Sequence, residues 1–159
     1  VSGDGSPNTF PDGSDLAPFR RRVGARLVDE VPFLLLHVIG VAVFGDVAVV
    51  DGTPAVDQPL WVVVAVVAAG VLYQTVMVAW RGQTLGKLAF DIAVVRADGG
   101  GRPDVNRSAI RALVPATAFA VPVLGPALAF GLMAWALRDR FRQGVHDRAA
   151  GTVVVRVGA

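Results

Sequence analysis

The chain contains an uninterrupted apolar run from Leu60 to Trp80, LWVVVAVVAAGVLYQTVMVAW, 21 positions without a charge. As an α-helix it extends roughly 31 Å, the thickness of a bilayer's hydrocarbon core. A second run, Leu27 to Val50, is almost as apolar but carries Asp29, Glu30, His37 and Asp46. The third, Ala112 to Leu137, has 26 residues without a charge. As one straight helix it would measure about 39 Å, too long for a single untilted crossing. Its middle reads AVPVLGP, where Pro122 and Pro126 bracket Gly125 and break helical hydrogen bonding. The pattern predicts an all-α membrane protein. Two long transmembrane helices (about 23–45 and 60–80) precede a Pro/Gly-broken helical hairpin (about 107–120 and 123–138). The alternative is one tilted, kinked span, so the chain has three or four membrane segments. Two β-rich runs, about 89–96 and 152–157, predict short strands that pair into a small two-stranded element. Residues 1–18, VSGDGSPNTFPDGSDLAP, have the composition of a disordered tail, leaving 19–159 as one membrane domain. An acidic tail ahead of a basic cluster is unlike a secretory signal, so helix 1 is expected to persist as an anchor.

Charge placement orients these segments. Arg20, Arg21, Arg22 and Arg26 precede helix 1, and six cations from Arg81 to Arg111 follow helix 2. The loop between the two helices holds Asp46, Asp51 and Asp57 and no Lys or Arg. The positive-inside rule then puts the N-terminus in the cytoplasm, the 46–59 loop outside and the 81–111 segment inside. A single third crossing would carry five Arg residues outside (Arg138, Arg140, Arg142, Arg148, Arg156). The hairpin avoids this, puts the C-terminus in the cytoplasm and lets the two strands meet there. Trp61 and Trp80 stand at the ends of helix 2, where interfacial aromatics anchor a span.

Composition agrees with a membrane. Hydrophobic residues make up 53% and mean hydropathy is +0.55, against about 45–50% apolar in ordinary soluble domains. The absence of Cys excludes disulfides and Cys-based metal or redox chemistry. The pI near 9.9 follows from arginines arranged for topology, so no nucleic-acid partner is expected. Fourteen of the fifteen cations are Arg, a usage suggestive of a GC-rich bacterial genome.

Candidate chemistry is sparse. GQTLGK, Gly82 to Lys87, has one residue too few between its glycines for a phosphate loop and Leu88 where Ser or Thr would hold Mg²⁺. It reads as a tight turn after helix 2. His146–Asp147 has no companion ligands for a metal, and neither Ser108 nor Thr152 has an evident base. No metal, cofactor or enzymatic activity is expected, and Asp147 reads as a cap or ion-pair partner. Helix 1 is the richer segment. Arg22 and Asp29 share a face, and Arg26 can reach Asp29 or Glu30. Pro32 frees the Val28 carbonyl beside Asp29, making a polar notch at the membrane edge. Carboxylates there either anchor the helix in the headgroups or contact an ion or partner. His37 lies deeper, as a buried hydrogen-bonded residue or a proton carrier. Tyr73, Gln74 and Thr75 read as interhelical packing.

Three stretches together carry a family resemblance: RVGARLVD (Arg22, Ala25, Val28, Asp29), GQTLGK with a later Asp-Gly-Gly turn (Asp98 to Gly100), and QGVHDRAAGTVVV (Gln143 to Val155) with Asp147. Over about 17–157 the chain resembles the RDD family of bacterial inner-membrane proteins. It departs from that pattern after Lys87, where Leu88 to Asp91 replace a further basic residue and Gly. The resemblance implies a multi-pass protein of the bacterial plasma membrane, and singles out Arg22, Asp29 and Asp147. Most members of the family have no assigned role, and some are linked to cation/proton antiport. Two expectations follow. In a transport-related role the three residues meet at the cytoplasmic edge, Asp29 holds a monovalent cation or proton, and His37 lies along the path. In an accessory or assembly subunit the same triad is a structural clamp from helix 1 to the C-terminal strand. Arg26, Glu30 and His146 are accessory in either case. The partners expected are the lipid bilayer and a second copy or other membrane subunits. Both expectations require Asp147 to approach Arg22 or Arg26.

Overall fold

The computed structural model describes residues 15–50, 52–118, 125–139 and 141–157. In chain order they form α1 (Phe19–Phe44), β1 (Asp46–Val50), β2 (Thr53–Asp57), α2 (Leu60–Arg81), α3 (Leu85–Ala89), β3 (Ile92–Arg96), α4 (Val105–Ala118), α5 (Gly125–Ala134), a 3-10 turn (Trp135–Leu137), α6 (Val145–Ala149) and β4 (Thr152–Arg156). The chain is mostly helical. Both α1 and α2 are long and apolar enough to cross a membrane.

These two helices invert the pattern of a soluble core. On α1 the buried residues are Arg22, Ala25 and Asp29, while Leu34, Leu35 and Ile39 are exposed. Exposed apolar surface on this scale is costly in water and well solvated by acyl chains. Each helix starts directly after a proline, Pro18 or Pro59, in extended conformation. The left-handed backbone of Gly82 (φ 71°) ends α2 and returns its N–H to Val78 O at 2.8 Å. Aromatic pairs hold the helices together: Phe33 with Tyr73 at 5.5 Å and Phe44 with Trp61 at 4.8 Å between ring centres.

Four expectations need correction. The loop between α1 and α2 is an antiparallel hairpin, Asp46 pairing with Asp57 through Val50 with Thr53. Its Asp51-Gly52 turn signal was masked because residues 46–50 continue the apolar run of helix 1. The segment Gly82 to Lys87 is not merely a turn. Thr84 caps the short helix α3, so β3 starts at Ile92 rather than near 89. Residues 15–18 do not belong to a disordered tail. Leu16 bridges Val155, Ala17 N donates to Val154 O at 2.9 Å, and both side chains are buried. Two apolar residues suffice to extend the edge of β4, although the surrounding composition hid them. Residues 1–14 lie outside the described residues. Finally, α4 starts at Val105, because the Asp104 carboxylate accepts from Arg107 N at 2.8 Å and opens the helix early.

The strands β3 and β4 pair antiparallel from Ile92 with Arg156 to Arg96 with Thr152. One face of this pair packs Ile92, Val94 and Val154 against Ala17, Ala25 and Val78, with Phe90 at the margin. The other gathers Leu16, Val153 and Val155. Most of the expected break in the third apolar run, residues 119–124, lies outside the described residues. The flanking helices have 14 and 10 residues, each shorter than the about 20 that a straight crossing needs.

Helix α3 seats against α1 through Gly86. A Cβ there would fall on the Ala25 carbonyl oxygen and 2.9 Å from the Asp29 carboxyl carbon. Backbone cannot yield as a side chain does. Gly86→Ala should cost about 1–3 kcal/mol of stability. Gly131→Ala, where a Cβ meets nothing within 4 Å, should be neutral or stabilising by about 0.5–1 kcal/mol. Thermal unfolding of the two variants in detergent checks the contrast.

Candidate functional site

Arg22 and Asp29 lie on one face of α1, two turns apart, and each reaches a different part of the chain. Asp29 is a cap for α3. Its Oδ1 accepts from Gly86 N at 2.8 Å and from the Tyr73 hydroxyl at 3.0 Å. Its Oδ2 accepts from Thr84 Oγ1 at 2.5 Å, with Lys87 Nζ at 3.7 Å. The first backbone donors of a helix have no partner within it. Here Leu85 N donates to the Tyr73 hydroxyl at 2.9 Å, Gly86 N to Asp29, and Lys87 N to Thr84 Oγ1 at 3.4 Å. Three donors of a five-residue helix are thus met by side chains of α1, α2 and its own cap. A carboxylate at a helix N-terminus also suits the helix dipole.

Asp147 plays the corresponding role for α6. Its Oδ2 accepts from Gly144 N at 3.1 Å, at the start of that helix. The same oxygen is 3.4 Å from Arg22 Nη1, and Oδ1 accepts from Arg111 Nη1. All three charged side chains are buried. Arg22 spreads the rest of its fork over the backbone. Nε donates to Ala17 O at 3.2 Å, Nη2 to Val154 O at 3.2 Å, and Nη1 also to Arg142 O. Arg111 Nη1 further donates to Thr152 Oγ1 at 3.3 Å. One guanidinium therefore ties α1 to the segment before it, to the loop before α6 and to β4.

The electrostatics follow from this packing. Burial by itself would raise the Asp147 carboxyl, but Arg111, His146 in its protonated form and Arg22 reverse that and hold it at about 2. Burial, with Arg111 adding repulsion, lowers the Lys87 ammonium to about 8 against the attraction of Asp29. Burial lowers the His146 imidazole to about 4, although Asp147 lies 3.7 Å from its Nε2. His146 is thus neutral at physiological pH, and its buried Nδ1 has no hydrogen-bond partner among the described residues.

The contact expected between Asp147 and helix 1 is made by Arg22. Arg26 pairs instead with Glu30 at 2.6 Å and reaches neither aspartate. The three signature residues do not meet at one point, because Asp29 is taken up by α3. Beside this cluster lies a cavity of about 630 Å³, lined among others by Glu30, His37, Gln74 and His146. Tyr73 turns out to be a ligand of Asp29 rather than packing alone. Thr84, Gly86, Lys87 and Arg111 were absent from the candidates read from sequence. Their signals were present. Thr84 stands before the helix-forming stretch LGKLA as an N-cap does. Arg111 falls on the buried stripe of α4, with Ser108, Ala112, Pro115 and Ala118, where a lone charge needs a partner.

The low value for His146 has a definite sign. Between about pH 6.5 and 4 the unfolded chain binds a proton at this position and the folded chain does not. Stability should therefore fall as pH drops through that window, by on the order of 3 kcal/mol in full. Loss through Asp147 starts only below its ordinary value of 3.8 and continues toward about 2. His146→Gln should flatten the slope between pH 6.5 and 4 and leave the steeper fall below it. Unfolding midpoints measured in detergent from pH 7.5 to 3 read both.

No curated protein and no solved structure matches the chain. The family model described as RDD family matches residues 16–151. That range takes in Arg22, Asp29, the Gly82–Lys87 cap and Asp147, and with apolar helices of membrane length it makes this chain a membrane protein belonging to the RDD family.

Proposed function

We propose that the protein is a non-catalytic subunit of the bacterial plasma membrane whose charged cluster is a structural lock. The lock holds α1 and α2 against the α3–β3–β4–α6 unit, and so presents that unit to another membrane subunit or a second copy. The observation that carries this reading is the occupancy of the two signature carboxylates. Both oxygens of Asp29 and both of Asp147 already accept from donors of this chain. A monovalent cation would have to displace them and sit beside Lys87 or Arg111. Two like charges at about 4 Å repel by about 4 kcal/mol at an effective dielectric constant near 20. That penalty favours a clamp over an ion site. One observation supports the transport reading: Glu30 and His37 line the cavity beside the lock, so a proton path would run past them.

The positive-inside rule supports a cytoplasmic N-terminus and a cytoplasmic 81–111 segment. Pairing of β3 with β4 supports a return of α4 and α5 to that same face, for four membrane segments in all.

The lock predicts that Asp147→Asn, which leaves Arg22 and Arg111 buried without their carboxylate, costs about 3–5 kcal/mol of stability. In the same preparation, wild-type proteoliposomes should show no Na⁺- or K⁺-dependent proton flux above empty vesicles. A flux abolished by Glu30→Gln or His37→Gln would establish transport instead. Topology is open to cysteine labelling, since the chain has no native cysteine. Single cysteines at Asp98 and Arg148 should react only from the cytoplasmic side, and one at Gly52 only from outside. Labelling of position 148 from outside would indicate a single kinked span in place of the hairpin.

A further inference from the structure

Helices α1 and α4 both pack on α2 and scarcely touch each other. The space between them is the cavity of about 630 Å³, closed at its base by residues of α3, β3, β4 and α6. This volume lies within the range of about 300–1,000 Å³ typical of small-molecule sites. Its two ends differ in chemistry. At the base Arg22, Arg26, Lys87 and Arg111 stand against Glu30 and Asp147, four cations to two carboxylates. Counting Asp29, which lies behind Lys87, one cation is still in excess. Away from the base the walls are largely apolar, with Phe33 and Leu34 from α1, Val67 and Val71 from α2, and Ala116 from α4. The α1 wall runs from Arg22 to His37, roughly 22 Å of helix.

A small soluble anion would meet the base and leave the apolar walls empty. A neutral alkyl chain would fill the walls and leave the excess cation unmet. An amphiphile with an anionic head satisfies both ends, and a bilayer around α1 and α2 supplies such molecules among its lipids. We propose that the cleft binds one anionic phospholipid, with its phosphate at the Arg26–Lys87–Arg111 base and one acyl chain between α1 and α4. Guanidinium and ammonium groups make short, charge-assisted hydrogen bonds to phosphate oxygens. The arginine-rich flanks put this base at the membrane face where anionic lipid concentrates. The site goes beyond the structural-lock reading: it shares Arg111 with the lock, but the cleft is present whatever the chain assembles with.

The test uses the full chain, purified in detergent and stripped of lipid, with the unfolding midpoint as readout. Phosphatidylglycerol should raise the midpoint at concentrations at least tenfold below those needed by phosphatidylcholine with the same acyl chains. Inorganic phosphate alone should not raise it. Arg26→Gln removes a base cation outside the Arg22–Asp147–Arg111 lock, and Ala116→Trp fills the apolar channel. Each should weaken the response to phosphatidylglycerol tenfold or more, with the lipid-free midpoint little changed. If Ala116→Trp fails to fold, Gly70→Leu obstructs the same channel from α2, where the nearest atoms to an added Cβ are those of the Phe33 ring, at 3.8 Å. Equal shifts from the two lipids would overturn the proposal, as would a full shift from inorganic phosphate. So would wild-type binding by the channel-filling variants. Failure of the structural-lock reading shows separately, as cation-dependent proton flux.

Discussion

The architecture hangs on a carboxylate that two arginines share out of reach of water. Asp147 is buried between Arg22 of α1 and Arg111 of α4. Moving such ions out of water costs several kcal/mol each, and the attraction among them offsets this only when geometry and hydrogen bonds are complete. Here they are nearly complete. The carboxylate also caps α6, and Arg22 uses its remaining donors on three backbone carbonyls. Removing any one of the three charged groups strands the others. The cluster therefore fixes how α1, α4, α6 and β4 meet, although residues 22, 111 and 147 are remote in the chain. In a bilayer this matters more than in water, because apolar surfaces of helices have no hydrophobic reason to prefer each other over lipid.

Asp29 performs a second version of the same task. The five-residue α3 is too short to be stable by itself. Its N-terminal donors are met from outside, and the close approach at Gly86 makes that fit specific. Lys87 is then carried into the interior beside Asp29 and Thr84, where burial weakens its hold on a proton. Both signature aspartates thus cap short helices, and each also meets another helix, Asp29 through Tyr73 of α2 and Asp147 through Arg22 of α1 and Arg111 of α4. This common logic explains why the pair is separated in space and yet similar in chemistry.

Much of the fold was legible in the sequence, for physical reasons that also mark its limits. Helix α2 was plain because a crossing needs a charge-free run of a certain length, which Leu60 to Trp80 meets, and α1 was legible from the apolar stretch that follows Asp29 and Glu30. The pairing of the last strand was foreseeable from the charge pattern around it. The hairpin 46–57 was not, because in a membrane protein an apolar β-strand after an apolar helix continues the same hydropathy signal. Leu16 and Ala17 were lost for the opposite reason, two apolar residues at the edge of a polar tract. At the site, Asp147 could be placed beside Arg22 or Arg26 from the charge pattern and the family signature, and the fold assigns the contact to Arg22. Arg111 and Lys87 could not, since each lay in a segment read as span or turn. Only the fold reveals that these segments end at the same place.

The lock and the cleft are coupled through the cations they share. Arg22 and Arg111 face Asp147 on one side and the cavity on the other, so the cluster contains more positive charge than its own carboxylates neutralise. A purely structural clamp would gain from a balanced set, because an excess buried cation raises the energy of the folded state. An anionic headgroup at the base supplies the missing charge from the membrane. Binding of this kind stabilises the folded form by mass action, and by reciprocity a firmer lock holds the headgroup more tightly. The imbalance that makes the cluster imperfect as a clamp is then what makes the fold responsive to the lipid around it.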